Sequence, residues 1–286
     1  MKERALTFGP ANLVGILTQP SPDVAIPDAP ACVILNSGIL HRAGASRIYV
    51  KVARALAGVG MTTLRFDFSG IGDSEVRRGE SIPIEERFIR ESREALDYLE
   101  ESLGVDRFVI GGLCSGADGA FWTAIDDERV VGVWQIDAFS YHTPRYYLHR
   151  FLPKLFDPRA WLHSLKVRLK PLNTDTSEDR DELFAKPEYR RIFPPKEVVA
   201  EGLSALADRD VALYFLFTGA QEYLYERQHH EAFPEGMKTA RVRFIPECAH
   251  TMTELEHQEL LIADLREWIS PLGRSAAPSR DLVAQG

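Results

Sequence analysis

Phe108-Val109-Ile110-Gly111-Gly112-Leu113-Cys114-Ser115-Gly116 is the stretch on which the reading of this chain turns. Phe108, Val109 and Ile110 form a strand that runs directly into two glycines, and Ala117, Gly119 and Ala120 continue the small-residue pattern into a helix. A strand, a sharp turn and a helix start are the setting of a nucleophile elbow. The turn strains the backbone of the reactive residue, so the positions two before and two after it must be tiny. Gly112 and Gly116 meet that demand with Cys114 at the centre. Ser115 is out of register, because Leu113 and Ala117 would then have to play the glycines. The expected nucleophile is therefore the Cys114 thiol, activated by the positive end of the following helix and by a nearby histidine.

On either side of the elbow, strands and helices alternate. Ala5–Phe8 and Leu13–Thr18 read as weak strands, and Ala31–Leu35 as a continuous apolar strand of the kind buried in a parallel sheet. A helix carries Ile48, Val52, Leu56 and Ala57 on one face, followed by a strand at Thr62–Phe66. Ile84–Leu103 is an amphipathic helix with apolar residues three and four apart. Val130–Ile136 is a strand ending at Asp137, after which the alternation breaks. It resumes with a helix at Lys196–Ala207, strands at Val211–Phe217 and Arg241–Ile245, and a terminal helix at Leu255–Leu272. The pattern predicts an α/β fold with a mainly parallel sheet covered on both faces, its site at the carboxyl ends of the strands. The expected organisation is a core of residues 1–137 and 196–273, a helical cap over 138–195, and a flexible tail over 274–286.

Composition narrows the function. Of 286 residues, 45% are hydrophobic and 27% charged, and the net charge is −8, which argues against a nucleic-acid partner. No apolar run approaches the ~18 residues that span a bilayer, and no signal-type segment opens the chain, so a soluble cytoplasmic protein is expected. Cys32, Cys114 and Cys248 show neither paired spacing nor metal-ligand spacing, so the expected metal and cofactor content is none. Cys32 lies within an apolar strand and reads as a small buried hydrophobe.

Asp67-Phe68-Ser69-Gly70-Ile71-Gly72-Asp73-Ser74 and Leu35-Asn36-Ser37-Gly38-Ile39 complete a pattern that, with the elbow, resembles the serine-aminopeptidase-like (S33-type) group of α/β-hydrolases over nearly the whole chain. That resemblance implies an eight-stranded sheet with a helical cap inserted after the sixth strand. It also implies an oxyanion hole built from the N–H groups of Ile39 and Ser115, and a catalytic base after the last strand, where His250 stands. Cys114 holds the place usually taken by serine, as in dienelactone-hydrolase-like enzymes and in the Dieckmann cyclases that release polyketides. Two positions compete for the acid. The fold usually supplies it after the penultimate strand, where this chain has Glu222. Asp137, one strand earlier, matches the arrangement that the cysteine-dependent cyclases resemble, and is favoured. His229, His230 and His257 fall in helical stretches and are expected at the surface. Asp67, Asp73 and Ser74 read as turn formers, and His41, Arg42 and Arg47 as groups holding the oxyanion loop or meeting a substrate anion.

The insertion is basic and aromatic in an otherwise acidic chain: Asp157 is the only acid between Tyr141 and Lys170, against seven Lys and Arg. Tyr141, Arg145 and Tyr146 are its candidate substrate contacts. One reading is a site for an anionic, partly apolar partner, such as an acyl chain on an acyl carrier protein or coenzyme A. The other is a lid with a solvated charged face. Together these features imply acyl transfer through a thioester on Cys114, by a thioesterase or a product-releasing cyclase. The alternatives are a dienelactone-type hydrolase of small esters or lactones, and a non-catalytic member of the fold that binds a ligand. Oligomeric state is left open.

Overall fold

The computed structural model describes residues 1–79, 82–155, 191, 193–219 and 223–274. Most of the expected cap, the tail beyond 274 and Glu222 lie outside the described residues.

Among the described residues, eight strands form one sheet: β1 (Lys2–Phe8), β2 (Leu13–Gln19), β3 (Ala31–Leu35), β4 (Thr63–Phe66), β5 (Phe108–Leu113), β6 (Val130–Ile136), β7 (Ala212–Thr218) and β8 (Arg241–Ile245). Their spatial order is β1-β2-β4-β3-β5-β6-β7-β8. The β1–β2 and β2–β4 pairs are antiparallel, and every pair from β4 through β8 is parallel. The helices are α1 (Ile48–Ala57), α2 (Ile84–Leu103), α3 (Ser115–Asp126), α4 (Pro144–Leu155), α5 (Lys196–Asp208), α6 (Gln228–Ala232) and α7 (Leu255–Arg274). Among the described residues, α4 is the one helix of the inserted segment.

Strands β3 to β7 are buried on both faces, and their successive side chains serve two different cores. Val33, Leu35, Phe108, Ile110, Val133, Leu213 and Phe215 pack with α2, α3 and α5 through Phe88, Leu96, Phe121 and Leu203. Cys32, Ile34, Val109, Trp134, Ile136, Tyr214 and Leu216 pack with α1 and α7 through Ile48, Val52, Leu56, Leu261 and Leu265. Each such side chain contributes about 1.5–3 kcal/mol by leaving water, which fixes the strand register. Cys32 is fully buried in the second core, and burial pushes its thiol up to about 12. It behaves as the small hydrophobe expected of it.

Parallel order aligns the carboxyl ends of β3, β5, β6, β7 and β8 along one edge. The residues just past those ends are Asn36, Cys114, Asp137, Gly219 and the turn leading to His250. The fold thus gathers on one edge groups that stand more than a hundred residues apart.

Candidate active site

Leu113 closes β5 and Ser115 opens α3, so Cys114 alone makes the turn between them, with φ 56° and ψ −118°. That left-handed backbone is strained for a residue with a side chain. It is held by Cys114 N–H donating to the Ile136 carbonyl at 2.9 Å. The flanking glycines are required sterically. A Cβ on Gly116 would lie 2.5 Å from the Asn36 carbonyl oxygen, and one on Gly112 would lie 2.9 Å from the Gly116 backbone. Beneath the turn, Leu113 N–H donates to the hydroxyl of fully buried Tyr49 at 2.8 Å. Ser115 has no exposed surface, and its Oγ accepts from Gly38 N–H at 2.6 Å. Its hydroxyl therefore anchors a loop, while the Cys114 thiol is partly exposed.

Asp137 is fully buried just past β6, also in the left-handed region at φ 50°. Its carboxylate accepts from Thr218 N–H at 2.7 Å and Thr218 Oγ–H at 2.8 Å, both at the end of β7. Its Oδ2 lies 2.5 Å from His250 Nδ1. The His250 turn is braced by Ser46 Oγ, donating to the Thr251 carbonyl at 3.0 Å, and by Gln258, donating to the Met252 carbonyl at 2.6 Å. The hydrogen bond to Asp137, then one to Cys114, raise the His250 pKa to about 9, against an opposing effect of burial. At neutral pH the imidazole therefore carries a proton. Asp137 occupies one ring nitrogen and the other is left for Cys114. The geometry brings Cys114, His250 and Asp137 together; the alternative acid, Glu222, lies outside the described residues.

The loop after β3 is held from beneath. Buried Asn36 accepts from Phe68 N–H at 2.7 Å and donates to the Leu40 carbonyl at 2.8 Å. Arg42 pairs with buried Asp67 and with Asp73, so it braces this loop against the one after β4. Ser74 Oγ–H donates to the Asp67 carbonyl at 2.6 Å, in keeping with a turn-forming role. Ile39 is 80% exposed on the loop. Among the described residues, neither Ile39 N–H nor Ser115 N–H donates to a backbone carbonyl outside regular structure.

No protein-family model matches the chain, and no curated protein matches it by sequence. Solved structures do match. A serine hydrolase from Xanthomonas campestris, described as having no lid, is 16% identical with a TM-score of 0.53, covering 97% of this chain and 98% of its own. A proline iminopeptidase from Mycobacterium smegmatis is 17% identical with a TM-score of 0.55, covering 96% and 100%. A carboxylesterase from Bacillus subtilis is 16% identical with a TM-score of 0.56, covering 94% and 92%. The fold is that of the α/β-hydrolases.

Within this hydrolase fold, the candidate cap contacts are engaged with protein. Tyr141 is half-buried and its hydroxyl donates to the Pro194 carbonyl at 2.6 Å. Arg145 pairs with Glu231 at 2.9 Å. Tyr146 has no exposed surface; it stacks on His142 at 4.0 Å and accepts from Arg150 at 2.5 Å. It supports α4 from within. The expectation of a surface position for His229 is corrected: it is 2% exposed and packs among Phe215, Phe217 and Phe233 at 4.8–5.0 Å between ring centres. Helical spacing in the five-residue α6 was too short to reveal which face points inward. Burial lowers the His229 pKa to about 3. Cys248 is 2% exposed, and burial first, then Asp137, pushes its thiol up to about 11. Thr218 and Tyr49 were missed by sequence reasoning, because no local signal marks a strand-end threonine or a core tyrosine as serving a site.

Proposed function

We propose that this chain is a cysteine-dependent acyl-transfer enzyme that forms a covalent thioester on Cys114. The observation carrying the proposal is the Asp137–His250 contact at 2.5 Å, with Thr218 holding the carboxylate from behind and His250 raised to about 9 beside a strained, partly exposed cysteine. An imidazolium can sustain a thiolate at Cys114, and the thiolate is the nucleophile. In the first half-reaction the sulfur attacks the acyl carbon, and the carbonyl electron pair moves to oxygen. The backbone donors of the elbow and of the loop after β3, Ser115 and Ile39 N–H, stabilise that oxyanion. As the carbonyl re-forms, the bond to the leaving thiol or alcohol breaks and His250 gives that group its proton. In the second half-reaction His250 takes a proton from water, or from a nucleophile within the acyl chain, as it attacks the acyl-enzyme; the bond from the acyl carbon to the Cys114 sulfur then breaks, which restores the thiolate beside the protonated His250. Asp137 orients the imidazole throughout.

A thioester substrate suits this site, since exchange of one thioester for another is nearly balanced in energy. Coenzyme A or an acyl carrier protein would present such an acyl group, and a thioesterase or a product-releasing cyclase would use it. The pairing of Arg145 with Glu231, and of Arg150 with the Tyr146 hydroxyl, favours a second reading, a hydrolase of small esters or lactones. The ion pair offsets the Arg145 charge and the hydrogen bond ties Arg150 to the protein, so both are less available to an anionic carrier. Turnover of acyl-coenzyme A and of a small ester or lactone of the same acyl group separates the two. A kcat/KM higher for the thioester supports the first reading, and the reverse order supports the second. Turnover of both substrates by Cys114→Ala at the wild-type rate would remove the covalent mechanism from either.

A further inference from the structure

Asp118 introduces a second buried carboxylate beside the site. It stands in the first turn of α3, where its N–H donates to the Cys114 carbonyl at 3.1 Å, and it is 4% exposed. A carboxylate there opposes a thiolate one turn away, because like charges in a poorly solvated site repel each other. Arg191 answers it. Its guanidinium donates to both carboxylate oxygens of Asp118, Nε to Oδ2 and Nη2 to Oδ1, each at 2.7 Å. Nη2 also donates to the main-chain carbonyl of Asp137 at 2.9 Å. The guanidinium is seated on the Phe193 ring at 4.8 Å and near that of Phe139 at 5.6 Å, contacts that fix a planar cation.

We propose that Arg191 is a positioning residue of the catalytic centre: it neutralises the carboxylate in the nucleophile's helix and holds the backbone of Asp137 in place. The inference rests on the reading of Cys114 as nucleophile. Two loads converge on one side chain. The Asp137 backbone is strained, and its carboxylate must face Thr218 and His250 at once, so its carbonyl needs an external hold. The elbow helix needs a counter-charge for Asp118. A guanidinium satisfies both because its planar fork makes several fixed hydrogen bonds; a lysine would supply charge alone.

The pH dependence of Cys114 alkylation by iodoacetamide, with steady-state turnover of an acyl thioester, tests this. In Arg191→Gln the alkylation midpoint should rise by about one pH unit, cutting the rate near neutrality about tenfold. The same variant should lose kcat with little change in KM. Arg191→Lys should recover the midpoint and only part of kcat. Arg191→Gln with Asp118→Asn should return the midpoint to its wild-type value, since the carboxylate that the guanidinium offsets is removed with it. A folded Arg191→Gln with a wild-type midpoint overturns the proposal, whatever its kcat. If that variant does not fold, Arg191→Lys decides: a kept midpoint with reduced kcat supports the role, and both unchanged overturns it. Wild-type Cys114 that alkylates no faster than an ordinary thiol overturns the nucleophile reading, and this inference with it. Fast wild-type alkylation that Arg191→Gln leaves unmoved overturns only the role of Arg191.

Discussion

His250 is the residue through which pH acts on the proposed chemistry. In an imidazolium–thiolate pair the reactive form has His250 protonated, so the alkaline limb of kcat/KM should fall near 9, where this histidine loses its proton. The hydrogen bond to Asp137 is the largest cause of that elevation. Asp137→Asn should therefore move the alkaline limb down toward the ordinary histidine value of 6.5, which a pH–rate profile reads directly. An unmoved limb would take the limb away from His250. Thr218→Val tests the support behind Asp137. It removes the hydroxyl that donates to Asp137 at 2.8 Å and leaves a buried carboxylate one donor short. A loss of about 1–2 kcal/mol in unfolding free energy is expected, with a lower kcat. Residue identities at the elbow were legible in the sequence because the steric rule is local. For the acid the sequence offers only a preference for Asp137 over Glu222 drawn from a resemblance, since which strand end faces a histidine 113 residues away from Asp137 is set by the order of the sheet, and Glu222 lies outside the described residues.

Elements, more than single groups, determine how much of this fold the sequence displays. The limits of α2 and β6 match the hydrophobic pattern, because each buries a continuous apolar face or run; those of β8 match as well, although only Ile245 is buried there. The first strand extends to Lys2, beyond the Ala5–Phe8 of the sequence pattern. It is an exposed edge strand held by backbone pairing to β2, so Lys2, Glu3 and Arg4 carry no apolar signal. The β5–α3 junction is where an element boundary and chemistry coincide. Gly116→Ala would drive a methyl group to 2.5 Å from the Asn36 carbonyl and 2.7 Å from that of Leu35, both backbone atoms with little room to move. Destabilisation of about 1–3 kcal/mol and a disproportionate loss of Cys114 reactivity are expected, measured by chemical denaturation and by alkylation rate. Retained reactivity would mean that the elbow relaxes more freely than its packing implies.

At the scale of the whole molecule, two histidines set opposite pH limits on stability. His229 is held neutral by burial, with its pKa lowered from 6.5 to about 3. The unfolded chain binds that proton first, so stability is complete above about 6.5 and declines as pH falls below it. His250 is shifted the other way: its contribution is full below about 6.5 and is lost as pH rises through about 9. Thermal unfolding followed against pH should show both declines. His229→Phe should flatten the acid-side loss and leave the alkaline side in place, and an unchanged acid side would assign that loss to other groups. Among the described residues no helix is long and apolar enough to cross a membrane. All the groups of the proposed mechanism sit on one sheet edge, and Cys114 is the one that must change covalently. Rapid quenching of the protein with an activated acyl thioester, followed by intact and peptide mass spectrometry, should find a single acyl group on Cys114 that decays at the rate of turnover. Turnover with no adduct on Cys114, or with an adduct on Ser115 or Cys248 instead, would contradict it.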